Sequence, residues 1–229
     1  MCLILNIDTS TEICSVALAK GGEVIALKED REGMNHAVLL GVFVDELFKE
    51  NGCCAADLDA VAVSMGPGSY TGLRIGVSLA KGLCYGAHKP LIAVDTLQAM
   101  ALAAIRRAGE EAFYCPMIDA RRMEVYTALY TRAGEPLQEV HAEVIGEHAF
   151  GEWLARQKTY FFGNGSDKIK AVIHHPNAHF LDGIITSSAN MAPLSHEKAV
   201  KKIVEDIAYF EPFYLKDFVA TVPKKKVIV

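Results

Sequence analysis

"LNIDTSTEICSVALAKGGEVI" (residues 5–25) and "MIDARRMEVYTALYTRAGEPL" (residues 117–137) are two copies of one pattern, and their relation decides the fold. Ile7-Asp8 falls on Ile118-Asp119, Ala17-Leu18 on Ala128-Leu129, and Gly22-Glu23 on Gly134-Glu135 after a one-residue gap. Few residues are identical, so the match rests on the pattern. Each copy reads as a strand, a tight polar turn, a second strand, a Gly-containing hairpin turn and a third strand. A long-range repeat of this kind signals a fold built twice.

The repeat extends beyond the three strands. After the first copy come a helical pattern over about 34–50, a strand at 58–64 and a helix over about 71–86. A strand at 90–94 and a helix over about 96–107 close that half. After the second copy come a helix over about 146–157, a strand at 159–162 and a turn at "GNGS". A helix near 166–174, a strand near 179–185 and a helix over about 193–208 complete it. Both halves thus run β-β-β-α-β-α-β-α, the order of a ribonuclease-H-like lobe. Two in tandem give an α/β fold of the actin/hsp70/sugar-kinase (ASKHA) type. The lobe boundary falls near residue 108, dividing the chain into lobes 1–108 and 109–229.

The composition suits that size. The 229 residues are 51% hydrophobic, with a mean hydropathy of +0.19, enough to bury a core in one large domain or two small lobes. No apolar run reaches the roughly 18 residues of a membrane-spanning helix. The start, Met1 to Asp8, begins a strand pattern and lacks the basic flank and cleavage site of a signal peptide. The six cysteines show no C-x-x-C spacing and sit mostly in apolar runs, as buried thiols do in a reducing compartment. The expectation is a soluble cytoplasmic protein that meets no membrane. A net charge of −5 lacks the basic footprint of a nucleic-acid binder, and the one basic run, Lys224-Lys225-Lys226, reads as a solvated tail.

"SMGPGSYTGLRIGVSLAKGL" (64–83) joins a strand to a helix through glycines, the place where many proteins hold a phosphate. Counted out, it is neither a P-loop nor a dinucleotide fingerprint, because Thr71 stands where both require glycine. It contains no nucleophile elbow either. Structurally, Pro67 fixes its own φ, the glycines permit positive φ or close packing, and Ser69 or Thr71 can cap the helix. Gly66 and Gly68, with Asp8, Thr9 and Ser10 of the first polar turn, remain candidates for a vestigial nucleotide or phosphate site. Asp8 and Asp119 stand where related ATPases and kinases place acids near metal and phosphate, though an Asp in a turn more often bonds its own backbone. His174, His175 and His179 cluster in "HHPNAH", which Pro176 and Asn177 make a surface connection rather than a metal centre. No catalytic constellation, metal site or cofactor motif emerges.

Two helices carry more apolar surface than one buried stripe requires. In "NHAVLLGVFVDELFKEN" (35–51), Ala37, Leu40, Val44, Leu47 and Phe48 form a core stripe, and Val38, Leu39, Val42 and Phe43 are left over. In the helix over about 71–86 only Arg74, Ser78, Lys81 and Tyr85 make a polar stripe. A lobe of roughly 110 residues is too small to enclose two such helices, and surplus apolar area marks a partner interface.

"GPGSYTGLRIGVSLAKGL", with "NIDTSTEICSVAL" (6–18), "IDARRMEVYTALY" (118–130) and "EPFYLKD" (211–217), closely resembles the TsaB (YeaZ) family of bacterial proteins. The resemblance spans nearly the whole chain and is looser over about 135–205. It implies a non-catalytic subunit that supports TsaD, the transferase forming N6-threonylcarbamoyladenosine next to the anticodon of tRNA. A TsaE-like ATPase would join the assembly, and tRNA would be met only through the complex. The implied contact uses the two over-apolar helices, which nominates His36, Leu39, Val42, Phe43 and Glu46 together with Arg74, Ser78, Lys81 and Tyr85. A homodimer in isolation could occupy the same face. TsaD carries a metal-binding H-x-x-x-H pair whose positions here fall on Thr96 and Met100, neither of them a substitute imidazole. The alternative is a free-standing ATP-dependent phosphotransferase of the same fold, with Asp8 as its metal-site acid and the "GNG" turn near the nucleotide.

Overall fold

A computed structural model describes residues 2–33 and 35–216. Its first sheet is built from the first copy of the repeat. β1 (Leu3–Asp8) pairs antiparallel with β2 (Cys14–Lys20), which pairs antiparallel with β3 (Glu23–Asp30). Next in the chain are α1 (His36–Asn51), β4 (Ala60–Gly66), α2 (Tyr70–Ala87), β5 (Leu91–Asp95) and α3 (Thr96–Ala108). β4 joins β1 in parallel and β5 joins β4, giving the order β3-β2-β1-β4-β5.

The second copy gives β6 (Phe113–Asp119), β7 (Glu124–Tyr130) and β8 (Pro136–Val144). α4 (Gly151–Arg156), β9 (Thr159–Phe162), α5 (Ser166–Lys170), β10 (Ala178–Leu181) and α6 (Ser188–Val200) complete it. The second sheet runs β10-β9-β6-β7-β8, the same order as the first. The expected β-β-β-α-β-α-β-α succession is therefore present twice.

Both central strands are buried on two faces, which is why β1 and β4 read as continuous apolar runs. Leu5, Ile7, Val61 and Val63 face α1 and α2. On the other face Ile4, Ala60, Ala62, Ile92 and Val94 pack against Met191 and Leu194 of α6. That helix comes from the second half of the chain. Reciprocally, Leu97, Met100, Ala101 and Ala104 of α3 pack on Tyr114, Ile118, Ala128 and Tyr130 of the second sheet. Each half thus ends in a helix that covers the other half's sheet.

Helix lengths differ from expectation in the second half. α4 and α5 are shorter than the patterns over 146–157 and 166–174. The last helix begins at Ser188, not near 193, because Ser187 caps it by accepting from Ala189 N at 3.2 Å. Pro193 lies inside the helix instead of starting it. Residues 201–208 are not helical, since Lys202 takes φ 56° and turns the chain away. The chain then returns to the first lobe as a strap. Glu205 N donates to Leu91 O at 2.8 Å, Phe210 enters the core beneath α1 and α2, and Phe213 N donates to Met65 O at 2.7 Å. Asp217 of "EPFYLKD" and the Lys224-Lys225-Lys226 run lie outside the described residues.

Candidate functional site

α1 and α2 lie side by side on one face of the first sheet. α1 buries His36, Leu40, Val44 and Leu47. Ala37 and Phe48, expected in that stripe, are exposed and half-buried respectively, because the buried direction runs through His36. Its outer stripe stays open: Val38 is 71% exposed and Val42 47%. α2 buries Leu73, Val77, Ala80 and Cys84, and Tyr85 is 79% exposed. Gly41 and Gly82 lie on the same open surface, with nothing within 4 Å of an added Cβ.

The nominated residues divide by place. Val42, Arg74, Ser78 and Tyr85 are exposed. Leu39 and Phe43 are half-buried against the core, as are their unnominated neighbours Ile75, Leu79 and Leu83 on α2. Glu46 turns toward β3, pairing with Lys28 at 3.2 Å, and Leu39 and Phe43 share that side of α1 at helical spacing. Lys81 reaches the opposite way, its Nζ donating to Ala208 O of the strap at 3.4 Å. His36 is not on the surface. It is 3% exposed, and its Nε2 lies 2.9 Å from the Thr11 carbonyl oxygen, which accepts from it. It fastens α1 to the first polar turn.

That turn explains the glycines. Asp8 is buried and accepts from Ser10 N at 3.0 Å and Ser10 Oγ at 2.6 Å. Burial pushes its carboxyl above the usual range, against the bonds from Ser10. Thr9 Oγ1 donates to Gly72 O at 2.8 Å, and Ser69 N donates to Ser10 O at 2.7 Å. A Cβ on Gly68, Gly72 or Gly76 would fall inside the atoms of Thr9 and Ser10. Gly66, at φ +112°, would bring its Cβ within 2.7 Å of Phe213 O. The close approach that these glycines permit is made to the chain's own turn and strap.

The matching turn of the second lobe is held by ion pairing. Asp119 accepts from Arg121 N at 2.6 Å and from Lys168 Nζ at 2.9 Å, and its N–H donates to Asn164 Oδ1 at 3.0 Å. Asn164 Nδ2 in turn donates to the Glu12 carboxylate at 3.1 Å, so the two lobes meet there. Behind this contact Thr11 and Thr186 share a hydroxyl bond of 2.6 Å, as do Ser15 and Ser188. Glu29 accepts from Ser15 at 3.1 Å and from Ser187. Burial works to raise Glu29, but the bonds from Ser187, Arg31 and Ser15 outweigh it and hold the carboxyl low. Of these residues the sequence singled out Asp119 and, within the "GNG" turn, Asn164; Glu12, Glu29, Thr186, Ser187 and Ser188 carried no motif. For Thr186, Ser187 and Ser188 the one signal is the run of small hydroxyl side chains itself.

Thr96 and Met100 are both 1% exposed. Met100 Cε abuts the "GNG" turn, where a Cβ on Gly163 would meet it at 2.6 Å, so apolar packing occupies the position. His174 and His175 are exposed, and His179 on β10 packs its ring 5.8 Å from Tyr160. Among the described residues no three His, Cys, Asp or Glu side chains are grouped to hold a metal ion, and no helix is long and apolar enough to cross a membrane.

Residues 31–224 match the model of the family described as TsaD, tRNA N6-adenosine threonylcarbamoyltransferase. The chain is 34% identical to the tRNA threonylcarbamoyladenosine biosynthesis protein TsaB of Escherichia coli, over 95% of its own length and 96% of that protein's. Among solved structures, YeaZ from Pseudomonas aeruginosa superposes with a TM-score of 0.79 at 28% identity, covering 94% of this chain and 100% of that one. The activator of the 2-hydroxyisocaproyl-CoA dehydratase from Clostridium difficile, with bound ADPNP, shares the fold alone, with a TM-score of 0.50 at 10% identity. That comparison covers 89% of this chain and 98% of the activator.

Proposed function

The chain belongs to the TsaB family, and on that premise we propose that it is the non-catalytic subunit of a TsaD-like transferase, docked through the outer face of α1 and α2. Its role in tRNA threonylcarbamoyladenosine biosynthesis comes with the family. On this reading the protein works in the cytoplasm, meets tRNA only within the complex, and shares the assembly with a TsaE-like ATPase. Self-association through the same face would compete with docking.

One observation supports the docking above the others: Val38 and Val42 stand 71% and 47% exposed on a helix whose buried stripe is already complete. Exposed apolar side chains grouped with half-buried neighbours mark an association surface. A free-standing phosphotransferase is the weaker reading. Its proposed acid, Asp8, is buried and bonded to its own turn, and the exposed Glu12 carboxylate, which accepts from Asn164 of the "GNG" turn, would repel a phosphate placed beside that turn.

The test is Val42→Glu. The monomer tolerates it because the side chain already meets solvent. In the docked complex the carboxylate would be buried without a cation, costing several kcal/mol. A loss of about 3 kcal/mol corresponds to roughly a hundredfold weaker binding. The expected result is a folded variant that no longer co-elutes with the TsaD-like subunit. Wild-type co-elution by Val42→Glu and Leu39→Glu alike would remove docking from this face.

A further inference from the structure

We infer that Arg74 is a preformed receptor for a carboxylate on the docked partner, and that the groove beside it takes an apolar side chain neighbouring that carboxylate. This rests on the docking reading above and deepens it.

Arg74 projects from the exposed side of α2, yet its position is fixed. Its guanidinium carbon lies 4.2 Å from the centre of the Tyr70 ring and 5.7 Å from that of Tyr214. The two rings are 4.8 Å apart, and Arg74 Nε donates to Tyr214 Oη at 3.0 Å. Stacking and that one bond remove most of the rotamer freedom that a surface arginine would lose on binding. What they leave unused is the terminal fork. Among the described residues, its two terminal nitrogens have no hydrogen-bond partner, and no carboxylate stands within ion-pair distance. Glu211 acts on the group only from farther away. Arg31 contrasts with this, because its fork is spent on Glu29 at 2.8 Å. A planar, oriented, unpaired fork matches a carboxylate in two-point geometry.

The surroundings select the kind of partner. Arg74 borders a groove of about 490 Å³ between α1 and α2, lined also by Ala37, Tyr70, Thr71, Ile75 and Ser78. Methyl groups and an aromatic ring with a few hydroxyls suit an aliphatic or aromatic side chain. Tyrosine and arginine beside an apolar pocket are the composition of an interface hot spot. A nucleic-acid phosphate fits less well. The next cation along α2 is Lys81, which is turned to the strap, and the chain as a whole is acidic at −5. The strap therefore has a role in docking: Tyr214 holds the receptor in place.

The experiment measures affinity of the full chain for the TsaD-like subunit by calorimetry, with sedimentation velocity on the chain alone. Arg74→Gln should weaken binding roughly 10- to 100-fold while the chain stays folded, with thermal unfolding lowered only slightly by loss of the bond to Tyr214. Arg74→Lys should recover little, since an ammonium keeps the charge but not the fork. Arg74→Glu should be rescued by reversing one acidic residue of the partner, found by scanning. Wild-type affinity in Arg74→Gln, with Val42→Glu still defective, overturns this inference and leaves the docking reading intact. Wild-type affinity in both removes the docking reading as well. Two further outcomes also overturn it. If only self-association is lost, the groove serves a second copy; if only tRNA retention by the complex is lost, Arg74 serves a phosphate.

Discussion

Gly72→Ala tests why the glycine turn exists. In the first turn of α2 alanine is favoured over glycine by about 1 kcal/mol on propensity alone, so the substitution would stabilise an unobstructed helix. Here the new methyl would lie inside the Thr9 carbonyl oxygen, closer than real Cβ atoms approach. Relief requires the first polar turn to part from the helix. That parting stretches two bonds, Thr9 Oγ1 to Gly72 O at 2.8 Å and Ser69 N to Ser10 O at 2.7 Å. Each is worth about 1 kcal/mol, and overpacking a well-filled site adds about 1–3 kcal/mol. Net of the propensity gain, Gly72→Ala should be destabilised by about 2–4 kcal/mol. Gly82→Ala is the control. It is the same substitution in the same helix with nothing within 4 Å, and it should gain up to about 1 kcal/mol. Urea unfolding followed by far-UV circular dichroism reads both variants by linear extrapolation. If Gly72→Ala proves as stable as Gly82→Ala, the glycines are not there to pack the turn, and a ligand-cradling role returns.

Asp95 caps α3 through a 2.7 Å bond from Gln98 N, and burial pushes its carboxyl up to about 6 despite bonds from Gln98 and Leu97 and the charge of Lys198. Below about pH 4 both folded and unfolded chains hold the proton; as pH rises toward 6 the unfolded chain releases it first, so stability falls by up to about 3 kcal/mol. Asp95→Asn keeps the capping acceptor and should flatten the urea-unfolding slope between pH 4 and 6; an unchanged slope refutes the assignment. Calorimetry of the isolated chain with ATP and magnesium should give flat heats at micromolar concentrations. A saturable isotherm weakened by Asp8→Asn would restore the phosphotransferase.

The order of elements was legible because each strand and helix carries its own period, and the two copies supported each other. The exchange of last helices was not. α3 and α6 are ordinary amphipathic segments, and which sheet each covers is decided by contacts such as Met191 on Ile92, far apart in sequence. Pro193 misled the start of α6, because proline commonly opens a helix and here the cap at Ser187 precedes it. On α1 the count of apolar residues was right while the direction of burial was turned. His36, a polar residue with an internal partner, takes a core position that apolarity alone assigns to Ala37. Counting spacings excluded the phosphate motifs, but the reason for the glycines lies in Thr9 and Ser10, more than fifty residues upstream. Glu12 and Asn164, 152 residues apart, could be paired only by the fold.

These contacts bear on how an ASKHA-type chain can serve as a platform. A fold that works by opening and closing its lobes needs a junction that yields. Here, separation would break the buried hydroxyl bonds from Thr11 to Thr186 and from Ser15 to Ser188. It would also peel α6 from the first sheet, exposing Met191 and Leu194. On the opposite face, α2 is fastened below by the first polar turn and along its side by the strap, through Lys81 and Arg74. The outer face of α1 and α2 is thus braced from both sides, by the first polar turn and by the strap. Bracing of this kind lowers the ordering entropy that association must overcome. It also makes the exposed stripe of α1 and α2 a property of the monomer, present before any partner arrives.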